Sequence, residues 1–327
     1  MPVLSYIQAV TQALKEEMQR DEKVFVLGED VGKRGGVFRA TDGLYDEFGE
    51  DRVLDTPLAE SAIAGVGIGA AMYGMRPVAE MQFADFIMPA VNQIISEAAK
   101  IRYRSNNDWQ APITIRAPYG GGVHGALYHS QSVESVFANQ PGLKIVMPST
   151  PYDVKGLLKA SIRDNDPVLF FEHKRAYRLI KGEVPDEDYT LPIGKADVKR
   201  EGSDITVITY GLCVHFALQA AEKLAEEGID AHILDLRTVY PLDKESIIEA
   251  ASKTGKVLLV SEDNKEGGII SEVSAIISEN CLFDLDAPVQ RLAGPDVPSM
   301  PYAPTMEKFF MMNPDKVEKA MRDLAEF

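Results

Sequence analysis

One acidic side chain lies where an apparent strand meets a helix that contains no charged residue. Residues 52–56 have the apolar pattern of a short strand, and the sequence DTPLAE at 55–60 ends with Glu60. The next fifteen residues, 61–75, carry no charge. A carboxylate is costly to bury unless a partner stabilises its charge or it keeps its proton, so Glu60 is a candidate general acid or base. A second interpretation stays open: an acid in the first turn of a helix is favoured by the helix dipole.

A glycine-rich loop with two histidines follows another apparent strand, 113–117. Its sequence is GGGVHGALYHSQS at 120–132, and it holds His124 and His129, two of the five histidines in the chain. Loops at the carboxyl ends of strands build the active sites of open α/β sheets. The five-residue spacing without neighbouring acids is a weak zinc pattern, so hydrogen bonding or proton transfer is the better functional interpretation. A surface loop without a catalytic role remains the alternative.

Further strand ends carry acids and aromatic residues. The sequence EMQFADF at 80–86 ends one strand, and Gly28-Glu29-Asp30 ends the first. Phe83 and Phe86 suit a hydrophobic core as well as a ligand surface. The glycines at 65–69 resemble a dinucleotide fingerprint only loosely, because they lie inside the predicted helix and not between strand and helix.

The elements that must position these residues alternate between strand and helix. Such alternation predicts two open, mostly parallel α/β sheets covered by helices on both faces. The expected domains are 1–185 and 204–327, and the charged, proline-containing interval 186–203 is the expected linker. In the first domain we predict helices near 5–18, 61–73, 86–104 and 152–163. In the second domain, strands are expected at 205–210, 231–235, 256–260 and 289–292.

Composition narrows the function classes. The 327 residues have a net charge of -16, which argues against nucleic acid and anionic membrane surfaces as partners. The uncharged run at 61–75 is shorter than the roughly 18 residues that a membrane-spanning helix needs. The two cysteines form no metal or redox motif, so we expect a cytoplasmic, reduced protein. The sequence also contains no Gly-Asp-Gly motif followed by paired asparagines, which is the usual magnesium-diphosphate motif of thiamine diphosphate enzymes.

Taken together, the ordered motifs resemble the β subunits of 2-oxo acid dehydrogenase decarboxylase components, over nearly the whole chain. The motifs that carry the resemblance are LGEDV at 27–31, DTPLAE at 55–60, EMQFADF at 80–86, HSQS at 129–132 and RTVYPLD at 237–243. The resemblance implies a transketolase-like pyrimidine-binding domain followed by a transketolase C-terminal domain. It also implies thiamine diphosphate as the cofactor, bound between an α and a β subunit.

The same resemblance assigns roles to individual residues. Glu60 would hydrogen-bond the aminopyrimidine ring and stabilise the imino tautomer that removes the thiazolium proton. Burial beside the cofactor would raise the pKa of this acid in the required direction. Phe86 would stack on the pyrimidine, and Leu58 and Gln82 would line its pocket. His129 would assist reductive acylation of lipoyl-lysine. Glu29 would be a cofactor-side acid and would belong to a polar tunnel that links the two active sites.

Metal ions and partners are implied in the same way. Magnesium ligands are expected from the α subunit, so this chain should be inactive alone. The expected assembly is an α2β2 heterotetramer that docks the peripheral subunit-binding domain and lipoyl domains of an acyltransferase core. Oxygen ligands suit a hard cation such as potassium, which occurs in several members of the family. The positions that match this potassium site are Ala111, Ile113, Thr114, Ser161, Asp164 and Asp166.

The substrate is assigned by the runs 125–132 and 82–86, which look most like the branched-chain, or 2-oxoisovalerate, type. A pyruvate or acetoin dehydrogenase β subunit is the alternative with the same chemistry. A non-catalytic assembly subunit is a third possibility, favoured by the acidic charge and by the missing diphosphate motif. A pure scaffold, however, has no need of Glu60, Phe86 and His129 together.

Overall fold

The computed structural model describes residues 1–327, which form two compact units. The first unit comprises residues 1–119 and 136–193, and the second comprises 120–135 and 194–327. Each is an open α/β sheet, so the predicted fold class is confirmed. No helix of the chain is both long enough and apolar enough to cross a membrane.

The first unit is built on buried parallel strands, as the short apolar runs predict. Its elements are β1 (Val3–Ser5), α1 (Tyr6–Arg20), β2 (Val24–Gly28), α2 (Leu44–Phe48), β3 (Val53–Asp55), α3 (Glu60–Met72), β4 (Arg76–Glu80), α4 (Ile101–Arg104), β5 (Thr114–Tyr119), α5 (Glu134–Ala138, which begins in the second unit), β6 (Lys144–Val146), α6 (Pro151–Arg163), β7 (Val168–His173), α7 (Ala176–Leu179) and β8 (Lys181–Glu183). Helix α1, predicted near 5–18, begins with a capping box in which the side chains of Ser5 and Gln8 accept hydrogen bonds from each other's backbone amides.

The strand order places the predicted functional segments at one edge. Hydrogen-bonded neighbours run β6, β7, β5, β4, β2, β3, and all of these pairs are parallel. In register, Gly28 of β2 is the partner of both Asp55 and Glu80. The carboxyl ends of β2, β3 and β4 are therefore level with one another.

The predicted continuous helix at 86–104 is wrong. The chain instead forms a 3-10 helix at Ala84–Ala90, a π-helical segment at Asn92–Glu97, a short 3-10 turn at Ala98–Lys100 and finally α4. Pro89 lies within the first of these segments, and proline cannot donate the backbone hydrogen bond that a continuous α-helix requires there. The Phe86 side chain is therefore set by a 3-10 helix.

The second unit has a five-stranded sheet in the order β14, β13, β10, β11, β9. Its elements are β9 (Asp197–Arg200), β10 (Ile205–Thr209), α8 (Cys213–Ala225), β11 (Ala231–Asp235), β12 (Thr238–Tyr240), α9 (Lys244–Thr254), β13 (Val257–Asn264), α10 (Ile269–Asn280), β14 (Gln290–Gly294), α11 (Pro304–Phe310) and α12 (Pro314–Ala325). All the sheet pairs are parallel except β9 with β11. Strand β9 lies inside the expected linker interval, where its polar residues suit an edge strand.

Candidate active-site residues

Glu60 is the first residue of α3, immediately after the loop that leaves β3. Its side chain is buried, with 9 % of the residue exposed. The N-cap residue, Ala59, has no side chain that can accept a hydrogen bond from the free N–H groups of the first turn. Glu60 is the acid in that turn. The position of Glu60 does not decide between the two interpretations, because the helix dipole favours an acid in the first turn whether or not that acid has a catalytic role.

Glu29 lies close enough to Glu60 for the two carboxyl groups to influence each other. Burial raises the pKa of Glu29 above its usual range, and the negative charges of Asp30 and Glu60 raise it further. Two neighbouring carboxyl groups that share one region cannot both ionise without cost. The acidic neighbours of Glu29 therefore favour its protonated form.

Aromatic residues follow β4 at the same edge of the sheet. Phe86 and Phe83 meet edge to face with ring centroids 5.4 Å apart, and Phe83 meets Phe38 in the same way at 5.3 Å. Phe86 and Gln82 are half-buried. Leu58 precedes α3 and is 72 % exposed, which is unusual for a large apolar side chain. The first unit thus presents a partly open apolar surface beside buried acids.

A buried ionic cluster supports this edge of the sheet, and the sequence did not reveal it. Arg116 is fully buried, and its guanidinium bonds both carboxylate oxygens of Glu172 at 2.6 and 2.7 Å and one oxygen of Glu80 at 2.5 Å. The Tyr177 hydroxyl donates to Glu172 at 2.6 Å. Burial raises the pKa of Glu80, an effect that the Arg116 charge opposes. The available signal was a charged residue inside or at the end of each of these strands.

The residues of this edge suit the pyrimidine half of thiamine diphosphate. A buried acid with an acidic neighbour can bond a ring nitrogen, and the half-buried Phe86 offers an aromatic face. The resemblance would place five residues of this edge against the cofactor: Glu60, Phe86, Gln82, Leu58 and Glu29.

The two histidines of the glycine-rich loop have different surroundings within the second unit. His124 is exposed, with Nδ1 2.8 Å from a carboxylate oxygen of Glu307 and its ring stacked on Tyr302 at 4.6 Å. His129 is half-buried, just after a 3-10 turn at Ala126–Tyr128. The structure therefore separates a surface-paired histidine from the one that the resemblance assigns to chemistry.

The residues proposed for potassium lie near cationic side chains of the chain itself. Lys144 Nζ lies 2.8 and 2.6 Å from the two carboxylate oxygens of Asp164, and the Arg102 guanidinium bonds the carboxylate of Asp166. Arg76 donates to the carbonyl oxygen of Asp164 at 2.9 Å. Both carboxylates are thus already neutralised, and a further cation fits this set poorly except through carbonyl oxygens. The remaining positions of the proposed set are Ala111, Ile113, Thr114 and Ser161.

Comparison with known proteins places these features in a family. The profile of the transketolase pyrimidine binding domain matches residues 3–180, and that of the transketolase C-terminal domain matches residues 194–317. The chain is 83 % identical over 327 residues to the 2-oxoisovalerate dehydrogenase subunit beta of Bacillus subtilis (strain 168), with 100 % of each chain covered. This chain belongs to the family of 2-oxo acid dehydrogenase β subunits.

Two pyruvate dehydrogenase subunits and one solved structure are also similar to this chain. The pyruvate dehydrogenase E1 component subunit beta of the same Bacillus strain is 50 % identical, again with 100 % of each chain covered. The corresponding subunit of Staphylococcus aureus (strain Mu50 / ATCC 700699) is 46 % identical, with 99 % of each chain covered. A solved structure described as a split gene transketolase, inactive β4 tetramer, has a TM-score of 0.80 at 24 % identity and covers 99 % of this chain and 98 % of its own. The last comparison shows the fold alone.

Proposed function

We propose that this chain is the β subunit of a branched-chain 2-oxo acid dehydrogenase of the 2-oxoisovalerate type. The reaction is oxidative decarboxylation of a branched-chain 2-oxo acid with transfer of the acyl group to a lipoyl group on an acyltransferase core. The observation that carries this proposal is 83 % identity, over the full length, to a 2-oxoisovalerate dehydrogenase subunit beta. Pyruvate dehydrogenase β subunits are much less similar, so the pyruvate assignment is not favoured.

Thiamine diphosphate, when bound, supplies the electron sink that makes loss of carbon dioxide possible. The task of this chain is to hold a proton at the correct atom. Glu60 would bond a nitrogen of the aminopyrimidine, and its buried position at the start of α3 suits a carboxyl group held in place for that contact. Glu29 lies beside Glu60, and its own pKa is raised by burial and by the charges of Asp30 and Glu60.

Phe86, Gln82 and Leu58 would orient and cover the pyrimidine ring. The half-buried Phe86 ring is braced edge-on by Phe83, so it can offer a fixed aromatic surface. His129 would act in the later step, the reductive acylation of the lipoyl group. Its imidazole ring offers one nitrogen that can donate a hydrogen bond and one that can accept it.

An α subunit would complete the site in an α2β2 heterotetramer. The exposed apolar residues of the first unit support a covering partner: Leu58 precedes α3, Val66 lies on it, and Tyr73 ends it at 92 % exposure. Magnesium and the diphosphate would be held by that subunit, since this sequence lacks the usual motif. The net charge of -16 suits docking to a basic surface of the acyltransferase.

The first experiment is a decarboxylation assay on this chain with and without its candidate α partner. The assay contains thiamine diphosphate, magnesium and an artificial electron acceptor, and it compares 3-methyl-2-oxobutanoate with pyruvate. We expect activity only in the mixture and preferentially with the branched substrate. Preference for pyruvate would replace the substrate assignment, and turnover by this chain alone would contradict the shared site.

The role of Glu60 is tested by Glu60→Gln in the assembled complex. We expect assembly to persist while activity falls at least about a hundredfold, the range seen when a general acid or base is removed. Glu50→Gln is a matched control, because Glu50 is an exposed acid of the same unit. Normal turnover by the Glu60 variant would contradict proton chemistry at this position. Loss of assembly would instead make Glu60 structural and favour the scaffold alternative.

Potassium stays a prediction. Because the carboxylates of Asp164 and Asp166 already pair with cationic side chains, a potassium ion would be held by carbonyl oxygens, such as those of Ala111 and Ile113. The test compares the melting temperature of the complex in potassium and sodium chloride at equal ionic strength. A higher melting temperature in potassium would support the site, and equal values would contradict it.

A further inference from the structure

The segment that carries His129 has an irregular backbone. Residues 120–135 group with the second unit, although strand β5 immediately before them belongs to the first. His124 and Ala126 have φ values of 58° and 53°, a left-handed conformation that is unfavourable for residues other than glycine. Such a conformation persists only where surrounding contacts enforce it. The shape of this loop must therefore be imposed by the residues that hold it.

The first anchor lies at the beginning of the loop. The Gly121 N–H donates to a carboxylate oxygen of Glu262 at 2.6 Å. A Cβ atom at Gly121 would lie 2.5 Å from the Met311 sulfur and 2.7 Å from the Met300 methyl carbon. The backbone is thus pressed against buried side chains of the second unit and oriented there by one buried acid.

The second anchor holds the residues on either side of His129. The Ser299 hydroxyl donates to the carbonyl oxygen of Leu127 at 2.9 Å, and the Gln131 side-chain amide donates to the same oxygen at 2.9 Å. Leu127 and Gln131 are two residues before and two residues after the histidine. A Cβ at Gly125 would lie 2.7 Å from the His129 Cβ, so the loop also folds tightly beneath the histidine itself.

The third anchor lies at the end of the loop and is the most deeply buried. Glu134 is fully buried and accepts a hydrogen bond from the Tyr210 hydroxyl at 2.9 Å. Burial raises the pKa of Glu134 well above its usual range, and the neighbouring Asp263 and Glu262 carboxyls add to this effect. A neutral carboxylic acid with a phenol partner can be kept in such a place, whereas an unpaired carboxylate would be expelled to water.

We propose that Glu262 and the Glu134–Tyr210 pair are positioning residues that hold His129 for acyl transfer to the lipoyl group. The inference rests on the proposed function, which gives His129 its role. These three residues lie in strand β13, at the start of α5 and just after β10, and they fix both ends of the loop. Small displacements of a reacting group lower the reaction rate strongly. Loss of an anchor should therefore slow the acyl-transfer step in which His129 acts.

The experiment uses the α/β complex and two readouts: decarboxylation with an artificial electron acceptor, and acyl transfer to a lipoyl domain. Tyr210→Phe and Glu262→Leu each remove one anchor. We expect each to lower the kcat of acyl transfer by about tenfold to a hundredfold. Decarboxylation should fall by a much smaller factor. Glu262→Gln keeps an oxygen that accepts the Gly121 N–H, so it should restore most of the rate lost in Glu262→Leu.

A double variant separates positioning from general loosening of the fold. If Tyr210 acts through His129, then Tyr210→Phe should add little to His129→Ala, because coupled residues are not additive. Fully additive losses, or equal losses in both readouts, would overturn the inference. The proposed function fails separately: in that case His129→Ala alone would leave acyl transfer intact.

Discussion

Buried acids are handled in two different ways in this molecule. In the first unit, Glu80 and Glu172 are neutralised by the buried guanidinium of Arg116. In the second unit, Glu134 bonds a neutral phenol, and the charged neighbours that shift its pKa are other carboxyl groups. The first cluster is a buried ion pair, whereas the raised pKa of Glu134 favours an uncharged, protonated acid in the second. The two should therefore respond differently to the same substitutions.

The largest effect is expected at Arg116. Replacement by Met leaves two buried carboxylates without their cation, and breaking a buried ion pair in this way costs about 3–5 kcal/mol. We expect Arg116→Met to lower the melting temperature strongly or to prevent recovery of the complex. Arg104→Met is the matched control, because Arg104 pairs with Glu97 on the surface, where ion pairs contribute little.

A compensating variant sharpens this result. Replacement of Glu80 and Glu172 by Gln in the Arg116→Met background removes the stranded charges and should recover part of the lost stability. An Arg116→Met protein as stable as the unmodified chain would show that the cluster contributes nothing to folding.

The next prediction applies one substitution to both clusters. Glu172→Gln removes the charge that Arg116 and Tyr177 both contact, so it should destabilise the protein across the neutral range. Glu134→Gln replaces a group whose raised pKa favours the protonated form, so it should cost little stability at low pH. The free energy of unfolding of the two variants, measured by denaturant titration, should differ clearly at pH 7.

The pH dependence of Glu134→Gln has a definite sign. The folded protein keeps a proton on Glu134 that the unfolded chain releases above the ordinary pKa of about 4.5. The unmodified protein therefore loses stability as the pH rises from that value towards the raised pKa. The Gln variant has no proton to release at this position, so it lacks this loss of stability. Its stability relative to the unmodified protein should increase with pH. If the difference in the free energy of unfolding between the two proteins stayed constant from about pH 5 to 8, Glu134 would not be protonated in the folded state.

The same contrast explains what the sequence could predict. Helix α1, the parallel strands and the candidates Glu60 and His129 follow from local patterns: a capping box, apolar runs and chemistry-bearing residues at strand ends. Arg116 and Glu134 do not, because the value of a buried charge depends on partners far away in the chain. Arg116 is 36 residues from Glu80 and 56 from Glu172, and Tyr210 is 76 residues from Glu134.

Three other features escaped prediction, each for its own physical reason. The strand expected at 256–260 extends to Asn264, because the acids that follow are held by tertiary contacts and do not face water. The broken helix around Pro89 was signalled by that proline, yet the π-helical turn after it depends on packing that no local pattern records. The assignment of residues 120–135 to the second unit likewise depends on contacts distant in sequence.

The smallest effect is expected when each tyrosine loses its hydroxyl. Tyr177→Phe removes a hydrogen bond of 2.6 Å to the Glu172 carboxylate, and Tyr210→Phe removes one of 2.9 Å to Glu134. Hydrogen bonds to charged groups contribute about 1.5–3 kcal/mol and those between neutral groups about 0.5–1.5 kcal/mol. If Glu134 holds a proton, Tyr177→Phe must cost more stability than Tyr210→Phe at pH 7, as measured by denaturant unfolding. The reverse order would mean that Glu134 is ionised in the folded protein. Both clusters would then contain buried carboxylates, and they would differ only in the groups that bond those carboxylates.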